Sequence, residues 1–311
     1  MGKMEEIIEV LPMAIRGIFQ QPLFEFEQLQ EIRLRAGLPL QIRYRGEGYF
    51  IDEKGKLRQT SSGGIVISKK QIQESMDYIS YYSIYAFQDQ LRHGFLTVRG
   101  GHRVGVSGKV MLKDGKIIGM KYISGMNIRV AHEQKRCGKQ VFPWLFEEGK
   151  LCHTLIISPP GFGKTTLLRD LIRMLSNYEY QVSVVDERSE IGASYHGIPQ
   201  NEIGIRTDLM DGCPKAEGIS MMIRSMAPEV IAVDEIGTKE DVEALQYGRT
   251  CGCVLLGTIH GSSIKDIQKK NWTKEMFHEQ WFERYILLEK IGKVKEIDNE
   301  KGERICGSLQ L

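Results

Sequence analysis

Hydrophobic positions near the N-terminus follow a helical period and then change to simple alternation. Apolar residues over 4–20 recur every three or four positions, which predicts helix with an interruption at Pro12. Residues 31–35 and 40–45 alternate between apolar and polar side chains, which predicts two half-buried strands joined by the turn Gly37-Leu38-Pro39. The chain therefore opens with helix followed by strands.

The next segment continues this mixture of helix and strand. Ser68 is a typical helix N-cap, and residues 69–91 have the pattern of one or two helices. Two hairpins are predicted after that, one around Gly100-Gly101 and one around Asp114-Gly115. We therefore predict an α+β N-terminal domain over residues 1–135.

The second part of the chain has a different pattern. A polar, unpatterned stretch at 132–140 is expected to act as the linker. Short apolar runs then alternate with helical patterns, and these runs lie at 154–157, 181–185, 230–233 and 254–258. Buried strands separated by helices are typical of a parallel sheet with crossover helices, so residues 136–311 are predicted to form an α/β domain with a mainly parallel sheet.

The segment from Ser158 to Thr166 lies between the first of these runs and a helical pattern. It matches the phosphate-binding P-loop, or Walker A pattern, G-x-x-x-x-G-K-[ST], except that Ser158 replaces the first glycine. In such a loop backbone N–H groups surround the phosphates, Lys164 reaches the β- and γ-phosphates, and the Thr165 hydroxyl binds Mg²⁺. We expect ATP and Mg²⁺ as cofactors, with nucleotide contacts from Pro159, Pro160, Gly161, Phe162, Gly163, Lys164, Thr165 and Thr166.

Two acids end the apolar run 230–233. Asp234 and Glu235 occupy the place of a Walker B acid pair at the carboxyl edge of a parallel strand. We expect Asp234 to hold the Mg²⁺ shell and Glu235 to orient or deprotonate the attacking water, a role that distinguishes hydrolysis from kinase-type transfer. The alternative is that both acids are solvated at a helix start, where the helix dipole favours them.

A second acidic strand end follows the run 181–185. Its residues are Asp186, Glu187 and Arg188, and Glu187 is a candidate for positioning metal or water. The alternative interpretation is structural, with Asp186 capping a turn and Arg188 pairing with Glu190.

Three polar residues near the remaining strands complete the set of candidate site residues. Thr258 and His260 are two positions apart in an extended segment, so they fall on the same side and are expected to face the γ-phosphate. A lone histidine is, however, more often structural. Arg224, just before the acidic strand, suits bidentate phosphate recognition, or else it is a surface arginine that pairs with Glu229.

Composition limits the classes of function. The 311 residues are 41% hydrophobic and 26% charged, which is ordinary for globular domains. The formal net charge is only +2, so nucleic acid is not an expected partner, because tracking phosphates needs a basic groove. Six cysteines, including Cys251 and Cys253, show no paired C-x-x-C spacing, which argues against a zinc site.

The chain contains no obvious membrane or export segment. Its apolar runs are all shorter than the roughly 18–20 residues that span a bilayer. The acidic start of the chain does not resemble a signal peptide. We therefore expect a cytoplasmic protein, and any membrane role is expected to come through partners.

Taken together, these motifs resemble a known family. The run R-S-M-x-P-E-V-I-x-V-D-E-I-G over 224–237, the acids after the second strand and G-T-x-H over 257–260 look like the RecA-type ATPases of type II and type IV secretion machines. In that superfamily the last two segments are called the Asp box and the His box. The N-terminal half, at 31–39, 101–105 and 127–129, is similar to the sporulation members from endospore-forming bacteria. The resemblance covers nearly the whole chain and implies a RecA-like C-terminal domain.

The resemblance also implies a role and partners. It implies a mother-cell ATPase that powers a channel complex between mother cell and forespore, as a homo-oligomer, a hexameric ring docked on membrane proteins. It implies N-terminal arginines that reach nucleotide across a subunit or domain boundary. Arg33, Arg35 and Arg103 are candidates, and the alternative is a solvated sheet face.

Two other functions remain open at this point. One is a nucleic-acid-stimulated ATPase of the same fold, which the near-neutral charge disfavours. The other is a nucleotide-switched scaffold without turnover, which Glu235 disfavours because a switch does not need a catalytic carboxylate.

Overall fold

The helical pattern at the start of the chain forms two short helices in the computed structural model, which describes residues 3–21, 24–81, 91, 94–132 and 135–311. Helix α1 (Lys3–Val10) and helix α2 (Met13–Phe19) flank Pro12, as the sequence predicts, because proline at this position cannot continue the first helix. The chain divides into two compact units, Met1–His132 and Glu133–Leu311. Each unit is described by itself below.

The first unit is an antiparallel sheet with helices packed on it, so the predicted α+β class is confirmed. The strands are β1 (Leu29–Arg35), β2 (Gln41–Tyr44), β3 (Glu47–Ile51), β4 (Leu57–Arg58), β5 (Phe95–Thr97), β6 (Arg103–Lys113) and β7 (Lys116–Arg129). Their order in the sheet is β4-β3-β2-β1-β7-β6-β5. Alternation along β1 buries Ile32 and Leu34 in a core that also contains Ile7 and Ile15 from the two helices.

Helix α3 (Lys69–Ile79) begins where the sequence predicts. Ser68 accepts the Gln71 N–H, and the Gln71 side chain in turn accepts the Ser68 N–H at 2.7 Å, which completes a capping box. This helix covers the first part of the segment 69–91, for which one or two helices were predicted. Residues 82–90 of that prediction lie outside the described part of the chain.

A long hairpin extends β6 and β7 beyond their neighbours in the sheet. β5 pairs with Arg103–Gly105, and β1 pairs with Gly125–Arg129. Within the described residues, the ladder from Lys109–Lys121 to Lys113–Lys116 joins only these two strands, around the predicted turn at Asp114-Gly115. We call residues 109–121 the β6–β7 arm.

One buried histidine makes the first unit sensitive to acid. His102 is 1% exposed, and its Nδ1 accepts the Ala131 N–H at 3.0 Å. Burial lowers its pKa from 6.5 to about 4, and the positive charges of His132 and Lys3 act in the same direction. His102 is therefore neutral in the folded protein at neutral pH.

We expect the free energy of unfolding to fall as the pH drops from 6.5 towards 4, by about 3 kcal/mol across this window, because His102 binds its proton more readily in the unfolded chain. His102→Asn keeps an acceptor for the Ala131 N–H and should flatten this dependence. Urea unfolding at a series of pH values, with the exposed His278→Asn as control, measures it. Parallel pH profiles for wild type and His102→Asn would show the assignment to be wrong.

The second unit contains a nine-stranded mixed sheet. β8 (Phe146–Glu147) and β9 (Lys150–Leu151) form a separate hairpin. The parallel strands of the sheet are β10 (Thr154–Ser158), β11 (Val182–Asp186), β12 (Thr207–Asp211), β13 (Val230–Val233), β14 (Val254–His260) and β15 (Arg284–Lys290). The antiparallel strands are β16 (Lys293–Asp298), β17 (Arg304–Cys306) and β18 (Leu309–Gln310). The sheet order is β12-β11-β13-β14-β10-β15-β16-β17, and β18 pairs with β16. The predicted α/β class with a mainly parallel sheet is confirmed.

Helices cover both faces of this sheet because its strands are apolar on both sides. Helix α4 (Lys164–Asn177) packs on the face that carries Ile156 and Ala232. Helices α5 (Lys215–Met226) and α6 (Lys239–Thr250) pack on the face that carries Leu155 and Val233. Two short helices, α7 (Ile264–Gln268) and α8 (Lys274–His278), follow β14.

Part of the stretch predicted as a linker is fixed to the second unit. The Gly138 N–H donates to Asp170 Oδ2 at 2.7 Å, and Val141 is completely buried. Asp170 lies on α4 and also pairs with Arg173. Gly138 and the residues that follow are therefore anchored to α4, which the polar composition of 132–140 does not indicate.

Among the described residues, the helices are all too short or too polar to cross a lipid bilayer.

Candidate active site

The P-loop connects the end of β10 to the start of α4. Gly161 and Gly163 have φ values of 79° and 88°, in the left-handed region that favours glycine, and no atom lies within 4 Å of the Cβ that either lacks. Gly163 is the N-cap of α4 and provides no side-chain cap for the N–H groups of the first turn. Those N–H groups and the helix dipole form a site for an anion in open space.

Ser158, which replaces the first glycine of the pattern, does not disturb this loop. It is the last residue of β10, pairs in register with His260 and is 1% exposed. Its hydroxyl donates to the Pro159 carbonyl at 2.9 Å. Because its backbone is ordinary strand, this position does not need glycine.

The acid pair that follows β13 reaches the P-loop directly. Thr165 Oγ1 donates to Asp234 Oδ2 at 2.5 Å, and Lys164 Nζ lies 2.7 Å from Glu235 Oε1. Lys164 is also 3.6 Å from Asp234 Oδ1, and its side chain is 7% exposed. Strand β14 lies between β10 and β13, so these side chains meet across its carboxyl end.

Glu235 is held by three partners. Besides Lys164, Arg188 forms an ion pair with Glu235 Oε2, and His260 Nε2 lies 3.0 Å from Oε1. Burial alone would raise the pKa of Glu235, but the ion pairs with Lys164 and Arg188 and the contact with His260 hold the pKa below its ordinary value. The backbone of Glu235 has a φ of 56°, in the left-handed region. Strained backbone of this kind is concentrated at functional sites.

Strand β14 holds the acid pair in place through Thr258 and His260, two of the candidate site residues. The Thr258 hydroxyl donates to Asp234 Oδ1 and accepts the Glu235 N–H at 2.9 Å. Thr258 and His260 lie on the same side of the strand, and both contact the acids themselves. Their predicted orientation towards a γ-phosphate stays a prediction.

Two candidate residues lie away from this cluster. Glu187 forms an ion pair with the buried Lys215 of α5. Arg224 is exposed on α5, where its Nε donates to the Ser220 carbonyl at 3.1 Å. Among the described residues, neither side chain has a recorded contact with Lys164, Asp234 or Glu235.

The residues at the end of β11 divide between a structural role, for Asp186, and a contact with the acid pair, for Arg188. Asp186 accepts backbone N–H groups from Glu190, Ile191 and Gly192 at 2.8–2.9 Å, so it caps the following turn. Burial raises the pKa of Asp186 to about 6 despite these three donors. Arg188 contacts Glu235 and was not a predicted site residue, although its position directly after the acids of β11 was the available indication.

The N-terminal arginines have partners within the first unit. Arg33 pairs with Glu31 at 2.7 Å, the Arg35 guanidinium donates to Gln41, and the Arg103 guanidinium lies 4.7 Å from the Phe95 ring centre. Arg33 and Arg35 also line a cleft of about 260 Å³.

The cluster fits a Mg²⁺ ion that arrives with nucleotide. Thr165 and Asp234 present hard oxygen ligands, which Mg²⁺ prefers, beside an open anion site. Within the described residues, no group of three or more His, Cys, Asp or Glu could hold a metal by itself. In nucleotide sites Mg²⁺ is held by one or two protein ligands together with phosphate oxygens and water.

All six cysteines are free thiols. Cys253 is buried and donates to the Pro228 carbonyl at 3.3 Å, whereas Cys251 is exposed. Burial raises the pKa of Cys253, so this thiol is a packing residue.

Comparison with known proteins gives one family and several related folds. Residues 1–305 match the family described as sporulation stage III, protein AA. The chain is 37% identical over 308 residues to stage III sporulation protein AA of Bacillus subtilis, with 96% of each chain covered.

Solved structures show the same fold at low identity. The pilus retraction motor PilT with bound ADP has a TM-score of 0.59 at 16% identity, covering 91% of this chain and 77% of PilT. The ATPase DotB of Legionella pneumophila has a TM-score of 0.54 at 16% identity, covering 90% of this chain and 75% of DotB. The fold is therefore the RecA-like fold of secretion ATPases.

Proposed function

Because the chain belongs to the sporulation stage III protein AA family, we propose that it is a Mg²⁺-dependent ATPase that works as a motor in a sporulation channel complex. Two solved structures with the same fold support this proposal, since DotB is described as an ATPase and PilT as a motor that binds ADP. The observation that carries it is the contact of Lys164 and Thr165 with Glu235 and Asp234 across the end of β14. This contact supports the proposal, because hydrolysis of a nucleotide requires a carboxylate that activates water beside the phosphate site.

Each residue of the cluster has a proposed task. The loop residues Pro159, Pro160, Gly161, Phe162, Gly163 and Thr166, together with Lys164, hold the phosphates. Thr165 and Asp234 hold Mg²⁺, which when bound neutralises charge on the phosphate oxygens. Glu235 accepts a proton from the attacking water. Thr258 and His260 keep the two acids in place.

Glu235 cannot act as a base while Lys164 holds it. The ion pair lowers the basicity of this carboxylate, and the positive charge of Lys164 is already satisfied. Phosphates at the N-terminus of α4 compete for Lys164, because a phosphate carries more charge than a carboxylate. Nucleotide binding therefore releases Glu235 from Lys164 and leaves Arg188 and His260 as its partners.

We further propose that the chain acts as a ring of identical subunits, a hexamer, docked on membrane proteins. Arg224 and Glu187 have no contact with the acid cluster of their own chain in the described residues. Arg224 is exposed on α5, so in a ring it can contact the phosphates of nucleotide bound to a neighbouring subunit. Arg33, Arg35 and Arg103 are proposed to reach nucleotide from the N-terminal unit.

The purified chain is expected to hydrolyse ATP in the presence of Mg²⁺, to lose this activity in EDTA and to form a larger assembly with ATP. Phosphate release measures the activity, and light scattering after gel filtration measures the mass. A chain that stays monomeric at high concentration with Mg²⁺ and ATP would contradict the ring. Tight ATP binding without turnover would support the scaffold, and stimulation by single-stranded DNA or RNA would support the nucleic-acid-dependent enzyme.

A further inference from the structure

The β6–β7 arm groups its lysines on one face and most of its apolar side chains on the other. Directly paired residues of two strands share a face, and so do residues two positions apart in a strand that has no bulge. In β6, Lys109, Met111 and Lys113 therefore share one face, and Val110 and Leu112 share the other. The paired residues of β7 extend the first face with Lys121 and Lys116 and the second with Met120 and Ile117, because a bulge at Ile118 shifts the register between these pairs. The arm is an amphipathic ribbon.

Both faces are open to solvent. Leu112, Ile117 and Val110 are 65%, 49% and 41% exposed, and all four lysines are exposed. Exposed apolar side chains grouped on one face mark an interaction surface. At the base of the arm, Tyr122 is 67% exposed and has an amphipathic ring of the kind that lies at membrane interfaces.

The charge of the arm indicates which kind of partner surface it binds. Four lysines and one aspartate, Asp114, give residues 109–121 a formal charge of +3, whereas the whole chain carries +2. The remainder of the chain is therefore slightly negative. Lysines are depleted from the cores of protein interfaces, but at a lipid surface their flexible stems let the ammonium groups reach the lipid phosphates.

We propose that the β6–β7 arm binds the surface of an anionic phospholipid bilayer. The apolar face enters the boundary between headgroups and acyl chains, and the lysines contact lipid phosphates. The chain then contacts the membrane itself, in addition to any membrane protein partner. This inference does not depend on ATP hydrolysis.

The test is co-sedimentation of the full chain with vesicles of equal parts phosphatidylglycerol and phosphatidylcholine, compared with phosphatidylcholine alone. Wild type is expected to bind the anionic vesicles and to be released by high salt. Leu112→Ser with Ile117→Ser should lower the partition coefficient at least about tenfold. Lys113→Gln with Lys116→Gln should lower it about 30-fold.

Matched controls lie in the other unit. Ile205 and Ile291 are 81% and 75% exposed, so their replacement by serine changes as much exposed apolar surface. Lys290→Gln with Lys301→Gln removes the same charge. Both control pairs should bind vesicles as wild type does. All variants should keep the wild-type thermal midpoint and ATP hydrolysis, which separates this test from that of the proposed function.

Three outcomes would overturn the proposal. One is equal binding of wild type and both arm variants, and another is no preference of wild type for anionic vesicles. The third is an arm variant that binds lipid normally but no longer assembles with ATP, since the arm would then be a contact between subunits.

Discussion

Replacing Glu235 with glutamine is expected to lower the rate of ATP hydrolysis by at least about 100-fold while ATP remains bound. Glutamine keeps the shape of the side chain but cannot accept the proton of the attacking water. Affinity for ATP should be equal or higher, because one negative charge beside the phosphates is removed. The variant should therefore accumulate as the larger, ATP-bound assembly, which mass analysis in the same buffer would detect.

Two other glutamates serve as controls for this prediction. Glu240 is exposed in the first turn of α6, and Glu187 pairs with Lys215. Glu240→Gln should hydrolyse ATP at the wild-type rate, and Glu187→Gln should lose much less activity than Glu235→Gln. If Glu235→Gln hydrolyses ATP like wild type, Glu235 is not the base, and the scaffold or switch becomes the better interpretation.

Replacing Lys164 with methionine is expected to remove both ATP binding and hydrolysis. The side chain is 7% exposed and is the cation at the start of α4, so its loss leaves the phosphates without a charged partner. The nucleotide-free chain should also become less stable by about 3 kcal/mol, because Asp234 and Glu235 lose a buried counter-charge. Isothermal titration with ATP and urea unfolding measure the two effects separately.

Lys215→Met is the matched control, because Lys215 is equally buried and also pairs with an acid. It should destabilise the chain to a similar degree and leave the affinity for ATP unchanged. Equal losses of ATP affinity in the two variants would show that Lys164 acts only through stability. Wild-type affinity in Lys164→Met would place the phosphate site elsewhere.

The sequence predicts the centre of the candidate site because phosphate chemistry restricts residue types within short segments. The loop around Lys164 and the acids after β13 are each contiguous, and the structure brings them into contact. The contact of Arg188 with Glu235 was not predicted, since local spacing favoured Glu190 as the partner. That contact depends on β11 lying next to β13, and strand order is not encoded in any local pattern.

The fold was predictable to a similar extent. The apolar runs of β10, β11, β13 and β14 are buried on both faces and therefore visible in the sequence. Strand β12 is only half buried, at the edge of the sheet, so alternation and hydrophobicity both fail to mark it. The antiparallel strands β16–β18 do not follow helices, so they lack the repeating βα pattern that marks the parallel strands. For this reason they were not predicted from the sequence.

The position of β14 between β10 and β13 has a mechanical consequence. It holds the P-loop and the acid pair two strand spacings apart, roughly 9.6 Å, through a ladder of backbone hydrogen bonds. Gly257 lets the Ile236 side chain pack closely on β14, because a Cβ there would lie 2.7 Å from Ile236 Cδ1. The backbone ladder keeps the ends of β10 and β13 at a fixed distance, so Lys164 and Glu235 can move together or apart only through their side chains and the loops that carry them, and not through the sheet.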